Sequence, residues 1–410
     1  MEKITLIPEK MVFGGSCLAK VNGKNVFIPY AIPGEKIEIS IKKSFRDYDI
    51  AEIEKVIEPS VHRQLPFCPL YGKCGGCNMQ HIDIDFQREL RKQMLADCFE
   101  REGINVPEIE TISGEPANYR SRIQLTDGGL NEKQSNNILK LDFCPIATDE
   151  INSYLKNVSQ EQRPLGRVHF FGDKRIVSSA QNEYDHLVIA DETKKELWAS
   201  KQVGKSKKKA KNKVRQRFAG TLADTRNNCT VCILGKQIEF DVQGFFQSNM
   251  DVLEKTIKAV TFNMGGENVL DMYCGAGTFS VFLADIFKKT TLVEHNRDAL
   301  VHAEVNMAGK AHETYGLSGS RWVKENAPMI LEKNGPFDAV VIDPPRSGME
   351  KEVCSWLLQK QDSPDKKHFL RSGNTGTRRI LFDKIRLQTD KTLPSRLLSA
   401  DFPHRKPCLF

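Results

Sequence analysis

Hydrophobic and polar positions change their rhythm three times along the chain. Over residues 1–58 the apolar positions fall in short runs between turn signals. Asn22-Gly23 has the composition of a hairpin turn, and Lys36 to Ile41 alternates polar with apolar residues as a half-buried strand does. Five short strands in this length suit a small OB-like β-barrel, an architecture that commonly binds single-stranded nucleic acid; a barrel with a purely structural role is the alternative. Residues 59–118 hold a cysteine cluster and then IDFQRELRKQMLADCFEREGI, where Leu90, Met94 and Leu95 recur at helical spacing and Gly103 supplies a stop. From Tyr119 to Phe246 the pattern is mixed, with strand-like RSRIQL, RVHFF and QIEFDV, and reads as an α+β region. From Gly265 to about Arg346 apolar strands alternate with helical segments, which predicts a parallel, Rossmann-like α/β sheet. The divisions expected from these shifts are 1–58, 59–246 and 247–410.

Charge adds a possible partner. The 410 residues carry a net charge of +7. Lys201 to Arg217 alone contributes seven Lys and two Arg with no acid, and residues 361–410 hold eleven Lys plus Arg against five Asp. The basicity is therefore local, and such stretches attract polyanions by releasing their counterions; a solvated insertion loop is the competing reading. The N-terminus is charged at once, without the apolar core of an export signal, and the uncharged run from Met272 to Ala284 lies between Asp271 and Asp285, too short to span a bilayer. The expectation is a cytoplasmic protein with no membrane partner.

Eleven cysteines in such a chain point to metal ligands, catalysis or plain thiols rather than disulfides. Cys68, Cys74 and Cys77 form a C-x5-C-x2-C set around Gly75-Gly76 in FCPLYGKCGGCNMQH, a spacing that lets thiolates face one ion or cluster. A fourth ligand is wanted, with Cys98, Cys144, Cys229 and Cys232 as choices. Spacing does not choose between zinc and iron.

The chemistry-bearing constellation lies further on. In ENVLDMYCGAGTFSVFLADIF a strand runs into a glycine turn, Cys274 to Gly277, and then into what reads as an amphipathic helix. The next strand, TTLVEH, ends in Glu294, 23 residues after Asp271, where an acid can grip a ribose diol. The glycine spacing fits an S-adenosylmethionine site better than a dinucleotide site. A further strand, FDAVVID, ends in Asp343-Pro344-Pro345-Arg346, and in a doubly wound sheet strand C-termini line one crevice, so Asp343 is expected beside Glu294.

Four blocks in this order, CPLYGKCGGCNMQH, GFFQSNMDVLEK, VLDMYCGAGTF and VVIDPPRSG, resemble the RNA uracil-5 methyltransferase family in its iron-sulfur-containing bacterial branch, over roughly residues 1–350. The N-terminal barrel is similar to that family's TRAM domain, and 247–410 is the expected methyltransferase domain. The resemblance implies an S-adenosylmethionine-dependent enzyme making 5-methyluridine in RNA, ribosomal rather than transfer RNA; a monomer is expected. It implies cofactor contacts at Gln247, Tyr273, Glu294 and Asp343, with Thr278 and Asn326 as weaker choices. It also implies a structural 4Fe-4S cluster on Cys68, Cys74, Cys77 and Cys144, the last before Pro145 as in the family.

In such enzymes a thiolate adds at uracil C6 so that C5 can attack the methyl group, and a base then removes the C5 proton. Where the family places its nucleophile, this sequence reads Ser372-Gly373-Asn374-Thr375, and Asp401-Phe402-Pro403-His404 is followed by Arg405 and Lys406 with no later Glu. Glycine cannot add to C6, so no catalytic residue is assigned. A binding protein without turnover, or an RNA methyltransferase working without a covalent intermediate, are the alternatives. Cys354 reads as a buried helix residue and Cys408 as a tail residue.

Overall fold

A computed structural model describes residues 3–101, 108–179, 184–191, 227–345, 347–359, 367–372 and 378–382. The described residues divide into two units: those up to Thr111 together with Leu130–Leu139, and Ile112–Gly129 together with the described residues from Lys140 on.

The first unit opens with six strands: β1 (Lys3–Leu6), β2 (Lys10–Met11), β3 (Ser16–Val21), β4 (Lys24–Pro29), β5 (Lys36–Ser44) and β6 (Tyr48–Glu58). Asn22 and Gly23 both take positive φ, 50° and 80°, which is the tight turn their sequence demands between β3 and β4. Ile37 and Ile39 point inward from β5 as the alternation requires, and join Val26, Ile28 and Ala51 in one core. The strands run in the order β1-β5-β6-β4-β3-β2 with β1 and β2 at opposite ends. The expectation of a closed barrel is thus corrected: the sheet has two edges. β2 is two residues long and follows Pro8, which has no N–H to give, so the strand that would close the seam is too short.

Helix α1 (Ile84–Glu100) is capped by Asp83, whose side chain accepts from the Phe86 amide, and buries Leu90, Met94, Leu95 and Phe99. Between β6 and α1 lies the cysteine loop. It is strapped by a small hairpin of β7 (Leu130–Asn131) and β8 (Ile138–Leu139), in which the Lys133 amide donates to the Lys73 carbonyl at 2.8 Å and Lys133 Nζ reaches the Tyr30 hydroxyl at 3.0 Å.

The second unit has two three-stranded sheets ahead of a larger one. Arg122–Thr126, Arg167–Gly172 and Leu187–Asp191 form the first; Ile176–Ser179, Asn228–Ile233 and Lys236–Asp241 form the second. Helix Asp149–Asn157 accompanies them, and helix Met250–Thr261 follows. The large sheet runs in the order His312–Tyr315, Phe287–Val293, Gly266–Met272, Ala339–Ile342, Lys367–Ser372, Arg378–Phe382. All its strand pairs are parallel except the last. Val269 and Val341 face one apolar core while Leu270, Met272, Val340 and Ile342 face another, the double burial that produces near-continuous apolar strands. Among the described residues no helix is long and apolar enough to cross a membrane.

One expected element is much shorter than its pattern. The amphipathic helix after the glycine turn is reduced to Ser280–Leu283. Gly275 and Gly277 take φ of 55° and 75°, so the turn extends through Phe279, and strand Phe287–Val293 begins a few residues later.

Candidate functional site

The strand order of the large sheet reverses beside Gly266–Met272, whose neighbours are Phe287–Val293 on one side and Ala339–Ile342 on the other. Loops leaving the C-terminal ends of these three strands open the crevice in which such sheets bind ligands. They carry Tyr273 and the glycine turn, Glu294, and Asp343 respectively.

The Glu294 carboxylate is held by backbone amides. One oxygen accepts from Gly275 N at 2.9 Å and the other from Asn296 N at 2.7 Å. Each carboxylate oxygen can accept twice, so both retain a lone pair for a pair of vicinal hydroxyls. A Cβ added to Gly275 would meet nothing within 4 Å, so the space over the turn is open to a close-lying ligand. Gly277 serves differently: a Cβ there would lie 3.2 Å from Ala303 Cβ, and the turn packs against the helix behind it.

Below the turn sits Asp271, 1% exposed, with Ser280 Oγ donating to its Oδ2 at 2.5 Å. Burial pushes this carboxyl up to about 7; the Ser280 bond opposes the shift, and the Asp343 and Glu294 carboxylates add to it. The strand ends thus bring Glu294 and Asp343 to one crevice, with Asp271 buried beneath its floor. The cluster suits a ligand carrying hydroxyls and positive charge.

Tyr273 takes a φ of 64° and turns its hydroxyl toward Glu350, to which it donates. Burial, then Glu350, raises the phenol above its ordinary range. Gly319 makes room: a Cβ there would fall 2.8 Å from the Tyr273 hydroxyl oxygen and 2.8 Å from Val353 Cγ2. Gln247 lies half-buried on the loop after strand Lys236–Asp241, and its neighbours fix the backbone. Phe246 stacks on Phe240 at 3.8 Å, the Ser248 carbonyl accepts from Ser121 N at 2.8 Å, and Asn249 caps the following helix. Thr278 is half-buried on the glycine turn, and Asn326, between helices Gly319–Glu325 and Ala327–Asn334, keeps a buried Oδ1 with no partner.

In the first unit Cys68, Cys74 and Cys77 sit partly exposed on one loop, and the Gly76 amide donates to Cys74 Sγ at 3.3 Å. Cys144 belongs to the second unit, on a turn whose backbone both donates to and accepts from the Asn152 carboxamide. Among the described residues no three His, Cys, Asp or Glu side chains stand close enough to hold a metal ion. Of the other choices for fourth ligand, Cys229 is buried in an apolar core that pushes its thiol up to about 12, and Cys98 Sγ takes a bond from Arg101 on its own helix.

Comparison with known proteins decides the family. The sequence pattern described as tRNA (Uracil-5-)-methyltransferase matches residues 105–363. The chain belongs to this family. As a member it is an S-adenosylmethionine-dependent RNA uracil-5-methyltransferase. An uncharacterized RNA methyltransferase of Treponema denticola is 33% identical, with 87% of this chain and 86% of that one covered. The 23S rRNA (uracil(1939)-C(5))-methyltransferase RlmD of Shewanella amazonensis is 26% identical over 87% of this chain and 84% of its own. The crystal structure of Pyrococcus abyssi tRNA (uracil-54, C5)-methyltransferase in complex with S-adenosyl-L-homocysteine shares the fold, with a TM-score of 0.61, 18% identity and 90% of each chain covered.

For a uracil-5-methyltransferase the question of the nucleophile follows. Cys274 and Cys354 are buried thiols whose surroundings raise them above the ordinary range, and Cys354 is packed in the apolar core of its helix, so neither is poised as a thiolate. Gly373, the segment Asp401 to Lys406, Cys408, the basic run Lys201–Arg217 and Arg346 all lie outside the described residues. The reading of a turnover-free binding protein rested on that C-terminal segment, and none of the findings supports it. Sequence reasoning also passed over Glu350 and Gly319, which meet Tyr273 only through the fold, and Asn306, which contacts the glycine turn.

Proposed function

We propose that this methyltransferase acts on C5 of a uridine in 23S ribosomal RNA, with Gln247, Tyr273, Glu294 and Asp343 forming the site for S-adenosylmethionine. The observation that carries the reading is the Glu294 carboxylate, fixed by two turn amides with acceptor capacity left over beside an open Gly275. S-adenosylmethionine supplies a sulfonium-bound methyl group, electrophilic enough for a carbon nucleophile. In the protein, Glu294 accepts from the ribose hydroxyls, Asp343 offers negative charge across the crevice, and Tyr273 walls the site with its hydroxyl committed to Glu350. The half-buried Gln247 amide offers both a donor and an acceptor to a polar edge. A ribosomal substrate is favoured over transfer RNA by the relatives named for 23S ribosomal RNA.

The same reading gives the N-terminal sheet the role of a TRAM-like RNA-binding module over 1–58, followed by the iron-sulfur and RNA-binding region 59–246 and the methyltransferase domain 247–410. Cys68, Cys74, Cys77 and Cys144 would hold a structural 4Fe-4S cluster. The thiol donor set and the Gly76 amide aimed at Cys74 Sγ suit thiolate-bound iron, where amide bonds to sulfur tune the cluster. The protein works as a monomer in the cytoplasm.

The test uses anaerobically purified protein, methyl-labelled S-adenosylmethionine and unmodified 23S ribosomal RNA, with nucleoside mass spectrometry. Label in 5-methyluridine, and iron lost from Cys74→Ser, are expected. Label in methylated adenine or guanine, or none at all, would end the uracil assignment. Zinc in place of iron would end the cluster assignment.

A further inference from the structure

The carboxamide of Asn306, at the end of helix Arg297–Asn306, is almost completely engaged. Its Oδ1 accepts from the Glu239 amide at 2.8 Å, while its Nδ2 donates to the Glu239 carbonyl at 2.8 Å and to the Ala276 carbonyl at 2.9 Å. Ala276 lies in the glycine turn between Gly275 and Gly277, and Glu239 lies on strand Lys236–Asp241. The next residue on that strand, Phe240, stacks on Phe246 with ring centroids 3.8 Å apart and planes 3° from parallel, and Gln247 follows. A single side chain therefore ties the cofactor turn to the hairpin whose return loop carries Gln247. His302, one turn earlier on the same helix, bonds among the described residues only the Glu239 side chain, with Nδ1 2.9 Å from Oε1.

We propose that Asn306 is a positioning residue that sets the glycine turn and the Gln247 loop in register, so that the methyl donor is gripped by both. The inference rests on the donor site assigned above. An amide fills this place because it is both donor and acceptor. A carboxylate of the same shape could still accept from Glu239 N, but it would face the Glu239 and Ala276 carbonyls with nothing to donate. A joint of this kind acts on donor affinity and leaves RNA affinity alone, whereas general loss of packing would weaken both.

Calorimetry with S-adenosylhomocysteine, RNA binding and thermal melting on the full chain test it. Asn306→Asp is expected to weaken S-adenosylhomocysteine at least tenfold, with RNA affinity within twofold of the parent. His302→Gln, which loses only the Glu239 side-chain bond, is expected to stay within twofold for both ligands. Parent protein that fails to bind S-adenosylhomocysteine overturns the donor site itself. Parent binding with an unaffected Asn306→Asp, or equal losses in Asn306→Asp and His302→Gln, overturns the joint alone. If Asn306→Asp does not fold, hydrogen exchange on the parent decides. Added S-adenosylhomocysteine should protect the amides of 274–277 and of 238–247 together, and protection confined to the turn rejects the proposal.

Discussion

Asp271 and Ser280 meet beneath the glycine turn, the serine hydroxyl 2.5 Å from a carboxylate oxygen that has almost no access to water. Because burial holds this acid at about 7 in the fold against about 4 in an unfolded chain, the folded state binds the extra proton between those values. Stability of the second unit should therefore fall as pH rises from about 4 to about 7, at up to about 1 kcal/mol per pH unit from this group, and level off above. Asp271→Asn should flatten that slope, and Ser280→Ala should carry it to higher pH. Denaturant titrations of the unliganded protein followed by tryptophan emission can read this, since Trp322 and Trp356 lie in the second unit and the first has no tryptophan. An unchanged slope in Asp271→Asn would remove the group from the pH dependence.

Replacing Glu294 by Gln keeps the volume but leaves one oxygen where two now accept from Gly275 and Asn296. Hydrogen bonds to a charged acceptor contribute about 1.5–3 kcal/mol each, so S-adenosylhomocysteine should bind on the order of 10–100-fold more weakly. RNA affinity should not move. Calorimetry that finds equal affinity for parent and variant would free Glu294 of the role.

Gly319 is fixed by proximity. Its φ is unremarkable, yet an added methyl would collide with the Tyr273 hydroxyl and Val353, so Gly319→Ala should cost about 1–3 kcal/mol in a denaturant titration. Tyr273→Phe removes one of the two colliding atoms. The double variant should lose less than the sum of the singles, and strict additivity would show that the two positions do not meet.

How legible was this site? The parallel strands were readable because both faces are buried, leaving near-continuous apolar runs such as those before Glu294 and Asp343, and the strand ends then marked the crevice. The hairpin at Asn22-Gly23 and the stripe Leu90, Met94, Leu95 were readable because both are local patterns. Closure of the N-terminal sheet was not, since it depends on pairing between the far strands Lys3–Leu6 and Lys10–Met11. The helix after the glycine turn is shorter than its pattern because TFSVFLADIF has helical spacing, while the turn runs on through Phe279 and the next strand already begins at Phe287. Glu350, Gly319 and Asn306 left no signal, being polar or small residues whose partners lie 77, 46 and 30 positions away.

The first unit should respond to acid through His81. This ring is 2% exposed, with Nδ1 2.7 Å from the Tyr71 hydroxyl and Nε2 3.4 Å from the Ala31 carbonyl. Burial lowers it to about 4, and the Ala31 bond only partly offsets the shift. The unfolded chain takes up the proton near 6.5, so stability of this unit should be intact above that pH and decline as pH falls toward about 4. Hydrogen exchange of the segment 60–82 should report the loss, and His81→Gln should lack it. Acid-independent exchange in the parent would contradict the assignment.

The strap across the cysteine loop has a consequence for biosynthesis. Lys133, which bonds the Lys73 carbonyl and the Tyr30 hydroxyl, is encoded after the chain has already entered the second unit at Ile112–Gly129. A nascent polypeptide that has emerged only as far as Thr111 lacks the piece that finishes its own leading module. That module's maturation must wait for translation of the following stretch, and a gene fragment cut at the first apparent boundary would yield a loop short of its fastening.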